Sequence, residues 1–130
     1  MPLLKPPYGS IVAIDLNTGE HLFRILNGDT PDEVRNHESL RGVDIPRTGK
    51  SNHANVLVTK SLLFYGEGRG GSPLLHVVNK ATGEEIAALD IPATTTTAPM
   101  TFSHNGRQFI VLSVAAAGHP AELVALALPE

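Results

Sequence analysis

The chain contains no cysteine and no tryptophan, and only two tyrosines and four phenylalanines. Without cysteine there is neither a disulfide scaffold nor a zinc-ribbon site. So few aromatic rings cannot build the stacking platforms on which single-stranded nucleic acid lies. No basic surplus exists either: 10 Lys and Arg stand against 13 Asp and Glu, for a net charge of −3, and the cations are scattered. That balance gives no electrostatic footprint for nucleic acid or an anionic membrane. Long apolar runs are missing as well. The opening MPLLKPPYG has no apolar stretch of signal-peptide length, and no run reaches the length of a membrane-spanning helix. What remains is 130 residues, 42% apolar and 18% charged, enough for one modest globular domain.

Within that ordinary composition one pattern is said twice. Tyr8–Arg24 reads YGSIVAIDLNTGEHLFR and Ser72–Leu89 reads SPLLHVVNKATGEEIAAL, so that Thr18-Gly19-Glu20 and Thr82-Gly83-Glu84 align. Each copy is an apolar run, a turn opened by Asp15 or Asn79, and a second apolar run. Asp and Asn bond their own backbone in such turns, and Gly supplies the left-handed position. A repeated strand–turn–strand unit implies modular β architecture whose pieces bury their faces by stacking on neighbours.

The rest of the chain reads the same way. Strands are expected at residues 10–16, 21–26, 55–59, 62–66, 74–78, 85–91, 99–103, 108–115 and 122–128. Lys60-Ser61 and Asn105-Gly106 are tight hairpin turns. Residues 27–50 are polar and aperiodic, with a short helix expected to start at Thr30-Pro31-Asp32-Glu33, Thr30 as its cap. Parallel crossovers need long helices, and none is predicted. The fold class is therefore all-β, with antiparallel up-and-down sheets and one short helical insertion.

AIDLNTGEHLF and its echo VVNKATGEEIA resemble the repeat motif of quinoprotein β-propellers, A-x-D-x-x-T-G-x-x-x-W. The segments LLFYGEG, APMTFSHNGRQFIVLSVAAAG and ELVALALP extend the likeness to the C-terminal portion of membrane-bound glucose dehydrogenases that use pyrroloquinoline quinone, PQQ. The motif's tryptophan is replaced by Phe23 in the first copy and by Ala87 or a neighbour in the second, which weakens the packing that ring provides between blades.

The resemblance implies about eight four-stranded blades around an axis carrying PQQ beside calcium or magnesium. It divides the chain into a half blade (1–26), an insertion loop (27–52), a complete blade (53–92) and an incomplete blade (93–130). About two blades, open at both ends, cannot enclose an axial cofactor, so none is expected on the isolated chain. The family oxidises sugar or polyol hydroxyls and is typically periplasmic. No position here matches its catalytic carboxylate, so this chain alone is expected to be a non-catalytic β module. Its open blade edges predict a homo-oligomer or a partner β chain. The alternative is a dehydrogenase subunit that binds PQQ when assembled with other chains.

The same resemblance puts Asn52, His53 and Arg69 on the cofactor side, as candidates by position. Asn52-His53 precedes an inner strand. Arg69 sits in Gly66-Glu67-Gly68-Arg69-Gly70-Gly71, which fits G-x-G-x-x-G. A dinucleotide site would need a helix N-terminus next, yet Ser72-Pro73 leads into the β-type run LLHVV. His21, His37, His53, His76, His104 and His119 lack metal-ligand spacing and read as structural or solvated. Asp29, Asp32 and Glu33 lack the order of a calcium loop. No Ser-His-Asp arrangement or nucleophile elbow is present.

Overall fold

The two Thr-Gly-Glu repeats fold into the same hairpin, down to its irregularity. β1 (Ser10–Ile14) pairs with β2 (His21–Leu26), and β5 (Leu74–Asn79) with β6 (Glu85–Asp90). The register slips between Ala13 and Ile14 in the first and between Val77 and Val78 in the second, which are equivalent positions. In each turn the opening side chain accepts an amide: Asn17 N–H to Asp15 Oδ1 at 2.8 Å, and Ala81 N–H to Asn79 Oδ1 at 2.9 Å. The threonine hydroxyls take the next ones, Glu20 N–H to Thr18 and Glu84 N–H to Thr82, each at 3.2 Å. Gly19 and Gly83 turn the chain at φ of 76° and 77°.

The computed structural model describes residues 4–129, so the outermost residues of the first and last expected segments lie outside the described part. The chain divides into two compact units, Met1–Asn52 and His53–Glu130.

In the first unit the polar stretch after β2 forms one helical turn, α1 (Asp32–Arg35), and a 3-10 turn at Glu38–Leu40. It then comes back beside its own start: Tyr8 N–H donates to Thr48 O at 2.9 Å and Lys50 N–H to Asn27 O at 2.7 Å. The helix begins differently from expectation. Its cap position is Pro31, with no side-chain cap, and Thr30 is not the capping residue. The buried Thr30 hydroxyl donates to Pro46 O at 3.3 Å and accepts from Thr48 N–H at 3.2 Å instead. Two long-range bonds in a closed site outweigh one local cap. Asp29 accepts the Thr30 amide at 2.7 Å and pairs with Arg35 at 2.8 Å; the amide and then the cations hold its pKa below the ordinary value.

In the second unit β3 (Asn55–Val58), β4 (Leu62–Gly66), β5 and β6 form one antiparallel sheet in chain order. β7 (Met100–His104), β8 (Arg107–Ala116) and β9 (His119–Ala127) form another. Nine described strands in antiparallel sheets of two, four and three match the all-β, partial-propeller expectation. Asn105 and Gly106 turn at φ of 49° and 75°, the conformation that suits a two-residue hairpin. Alternation sends Phe64 and Leu75 to one face of the larger sheet, where with Ile91 and Ala93 they meet Ile110, Leu112, Val114, Val124 and Leu126. On its other face Leu63, Tyr65, His76 and Val78 are buried too. Burial on both faces explains why β5 reads LLHVV rather than alternating.

Between the sheets runs the threonine segment. Thr95 bridges to Val114, and Thr94 O and Thr96 N–H bond Ala115 and Ser113, each at 3.0 Å, so this loop is ordered β structure.

Candidate functional site

The loop joining β4 to β5 carries Arg69 at an exposed position and is tightly seated at its base. Gly68 N–H donates to Thr95 Oγ1 at 3.2 Å, and Gly71 N–H to Gly68 O at 3.0 Å. Gly66 lies against the Thr95 side chain, and Gly68 against the His53 carbonyl, too close for any Cβ. The structure thus brings the His53 backbone to the loop that holds Arg69, and both side chains are exposed. In the first unit the Asn52 carbonyl accepts from Asn27 Nδ2 at 3.2 Å, while the buried Asn52 Nδ2 has no hydrogen-bond partner among the described residues. The loop leads into strand β5, so the dinucleotide reading has no helix to rest on.

Beneath this loop lies a constellation that the spacing of residues did not disclose. His76 Nδ1 meets Glu85 Oε2 at 2.7 Å, and its Nε2 meets Glu67 Oε1 at 3.2 Å. Glu67 Oε2 accepts the Ser72 amide at 2.7 Å. The Tyr65 ring stacks on the imidazole, with centroids 4.5 Å apart and planes 12° from parallel. The His76 and Glu67 side chains are only 6% and 5% exposed, whereas Glu85 is 51% exposed. That difference puts one carboxylate in a desolvated site and leaves the other at the water boundary.

Strand geometry builds this array. Tyr65 and His76 are paired across β4 and β5, so both point to the same face. The bulge in β6 then matters. Val77 pairs with Ala87 and Val78 with Glu85, leaving Ile86 as the extra residue. A bulge re-aims the side chains beside it, and here it brings Glu85 to the face of His76. The first repeat has Val12 and His21 at the positions of His76 and Glu85. A histidine inside an otherwise apolar strand, paired with a change from His21 to Glu85, was the available signal.

Burial pulls the His76 pKa down, but the bonds to Glu67 and Glu85 outweigh it, and the net direction is up. Burial likewise pushes Glu67 up, and the His76 and Ser72 hydrogen bonds overcome it and hold the carboxyl below its usual value. At pH below its raised value the His76 ring is an imidazolium between two carboxylates. Both ring nitrogens are occupied within the protein, so the array fixes structure and offers no proton to a substrate.

PQQ is a planar tricarboxylate quinone that the family holds beside a divalent cation. Arg69 is chemically suited to a carboxylate. Among the described residues, however, no group of three or more His, Asp or Glu is arranged to hold a metal ion.

No helix among the described residues is long and apolar enough to cross a membrane. Residues 1–110 match the β-propeller domain described as PQQ, glucose/ethanol/alcohol dehydrogenase. Quinoprotein glucose dehydrogenase A of Acinetobacter calcoaceticus is 27% identical over 137 residues, covering 100% of this chain and 16% of the relative. The chain therefore spans about one sixth of that protein's length. With the repeat motif, the paired hairpins and the profile match in agreement, the chain belongs to the PQQ β-propeller family of glucose, ethanol and alcohol dehydrogenases.

Proposed function

We propose that this chain is a β-propeller module of PQQ-dehydrogenase type that is non-catalytic alone and works by assembling with a second copy of itself. In blade terms, residues 1–26 are a half blade, 27–52 an insertion, 53–92 a complete blade and 93–130 an incomplete one. The observation carrying the reading is the uncovered side of the β7–β9 sheet. Met100, Phe102 and Leu123 are 55%, 43% and 76% exposed there, and register puts all three on one face. Beside it, β9 pairs only with β8 among the described residues, leaving a nine-residue edge. The last residues of β9 also line a cleft of about 830 Å³, together with Leu62, Phe64, Leu75 and Leu89. An apolar face next to an open strand edge is the surface on which β chains add to one another.

A second reading is supported by the exposed Arg69 beside the His53 backbone. In it, assembled chains contribute Asn52, His53 and Arg69 to a shared PQQ site, with calcium or magnesium held by groups from elsewhere in the assembly. PQQ supplies the redox chemistry when bound, and the protein supplies orientation and charge.

Light scattering across a concentration series, with calorimetric titration of PQQ and calcium on the same sample, separates these readings. A defined dimer or higher oligomer that does not take up PQQ supports the first. Saturable binding by the oligomer, lost in Arg69→Ala, supports the second. A folded monomer at high concentration overturns the self-assembly both require.

A further inference from the structure

The two repeats differ at the position of Phe23. In the first hairpin Phe23 pairs with Ala13; in the second its aligned counterpart Ala87 pairs with Val77. Val77 and Leu89, the neighbours of Ala87 across the ladder and two residues along, both line the 830 Å³ cleft of the second unit. Paired residues and residues two apart share a face, so Ala87 belongs to the same wall. Where the first repeat carries a ring, the second has a methyl group and open space. Phe64, paired with Val77, adds its ring to this wall, and Ile110 and Leu126 of the β7–β9 sheet line the cleft as well. Its volume falls within the roughly 300–1,000 Å³ of small-molecule pockets.

Charge at the cleft has one sign. Lys60, in the turn between β3 and β4, and Arg107, at the start of β8, both line it, and no Asp or Glu does so among the described residues. Lys80 Nζ donates to the carbonyl of Thr59, another lining residue, at 3.1 Å. We propose that the cleft binds a small aromatic acid, its planar ring beside Ala87 and its carboxylate at the exposed Lys60. The ring takes the place of the one that Ala87 lacks; it leaves water and meets Phe64 across the cleft wall. Cations without facing carboxylates select an acid over an amine. Asn52, His53 and Arg69 do not line the cleft, nor do Met100, Phe102 and Leu123. Binding here therefore requires neither PQQ nor a second copy.

Indole-3-propionate is the probe, because a chain without tryptophan lets the indole fluorescence be read alone. Titration with the full chain should give a saturable blue shift of emission. Methyl NMR should place the perturbed signals at Val77, Ala87 and Leu89. 3-Methylindole, the same ring without the carboxylate, should bind more weakly. Lys60→Glu should weaken the acid by about fivefold and leave 3-methylindole unchanged. Ala87→Phe, which installs the residue of the first repeat, should weaken both probes by about tenfold or more with the strand signal in circular dichroism kept. Methyl mapping and Lys60→Glu keep the test decisive should Ala87→Phe not fold. Absence of saturable binding overturns the proposal, as do perturbed methyls at Met100 and Leu123 in place of Val77 and Leu89. Equal affinity for the two probes, or equal weakening of both by Lys60→Glu, overturns the choice of an acid.

Discussion

Gly66 faces Thr95 across a gap that leaves no room for a Cβ, so the end of β4 and the threonine segment are fitted to each other at a single hydrogen atom. Thr95 Oγ1 accepts from Asn55 Nδ2 at 3.0 Å and from Gly68 N–H at 3.2 Å. One buried hydroxyl thereby ties the start of β3, the Arg69 loop and the segment paired to β8. Its position, and with it the seating of the loop, depends on the glycine.

Gly66→Ala should therefore destabilise the protein by overpacking, by about 1–3 kcal/mol, seen as a lower urea midpoint. Thr95→Ser keeps the hydroxyl and removes the methyl, so it should recover part of that loss in the Gly66→Ala background. The double substitution is thus expected to be less damaging than the two single effects added together.

Stability should depend on pH through Glu67 and His76 in opposite senses. Glu67 is depressed in the folded state, so its contribution is present above the unfolded value of about 4.3 and is lost as pH falls through the lower folded value. His76 is raised, so its contribution is complete below the unfolded value of about 6.5 and is lost as pH rises through the higher folded value. Both act fully between about pH 4.3 and 6.5. Urea titrations across pH should place the part of stability that His76→Gln abolishes in that window and show it fading on the alkaline side.

His76→Ala leaves Glu67 buried without its cation, and a cost of about 3–5 kcal/mol is expected. Glu85→Gln should cost roughly 1 kcal/mol or less, since that carboxylate is half exposed and water can replace much of the interaction. Thermal unfolding of the two variants at pH 6 checks the ranking.

The two turns should answer to mutation alike. Asn79→Asp and Asp15→Asn exchange residues that accept the same amide, so each should stay within about 0.5 kcal/mol of the parent. Alanine at either position should cost about 1 kcal/mol through the lost acceptor. Gly19→Ala and Gly83→Ala should each cost about 1–2 kcal/mol, because L residues are strained at that φ. Chemical denaturation of the matched pairs tests whether the repeat is energetic as well as geometric.

A nearer test of assembly is Phe102→Glu. Phe102 is half exposed and stacks on Phe109 at 5.1 Å, on the exposed apolar face of the β7–β9 sheet. Under the proposed self-assembly, a charge there should lower the mass read by light scattering toward that of the monomer while the strand signal in circular dichroism is kept.

Much of the fold was legible along the chain because its signals are local. Asp15 and Asn79 bond amides two residues away, and Asn105-Gly106 needs only its own two φ angles. Alternation and turns placed β2 and β4 to the residue, since neither depends on distant parts of the chain. Family membership was legible for the same reason: a repeat motif is a linear pattern.

Tertiary structure decided the rest. Thr30 looked like a helix cap until Pro46 and Thr48 came within reach of its hydroxyl. Glu85 joined His76 only because one extra residue in β6 changed the face it points to, and Glu67 joined them only because the loop folded back over β5. A local hydrogen bond is specified by residues that are neighbours in any conformation. The charge of a buried histidine depends on register, bulge and burial together, and these exist only once the sheet has formed.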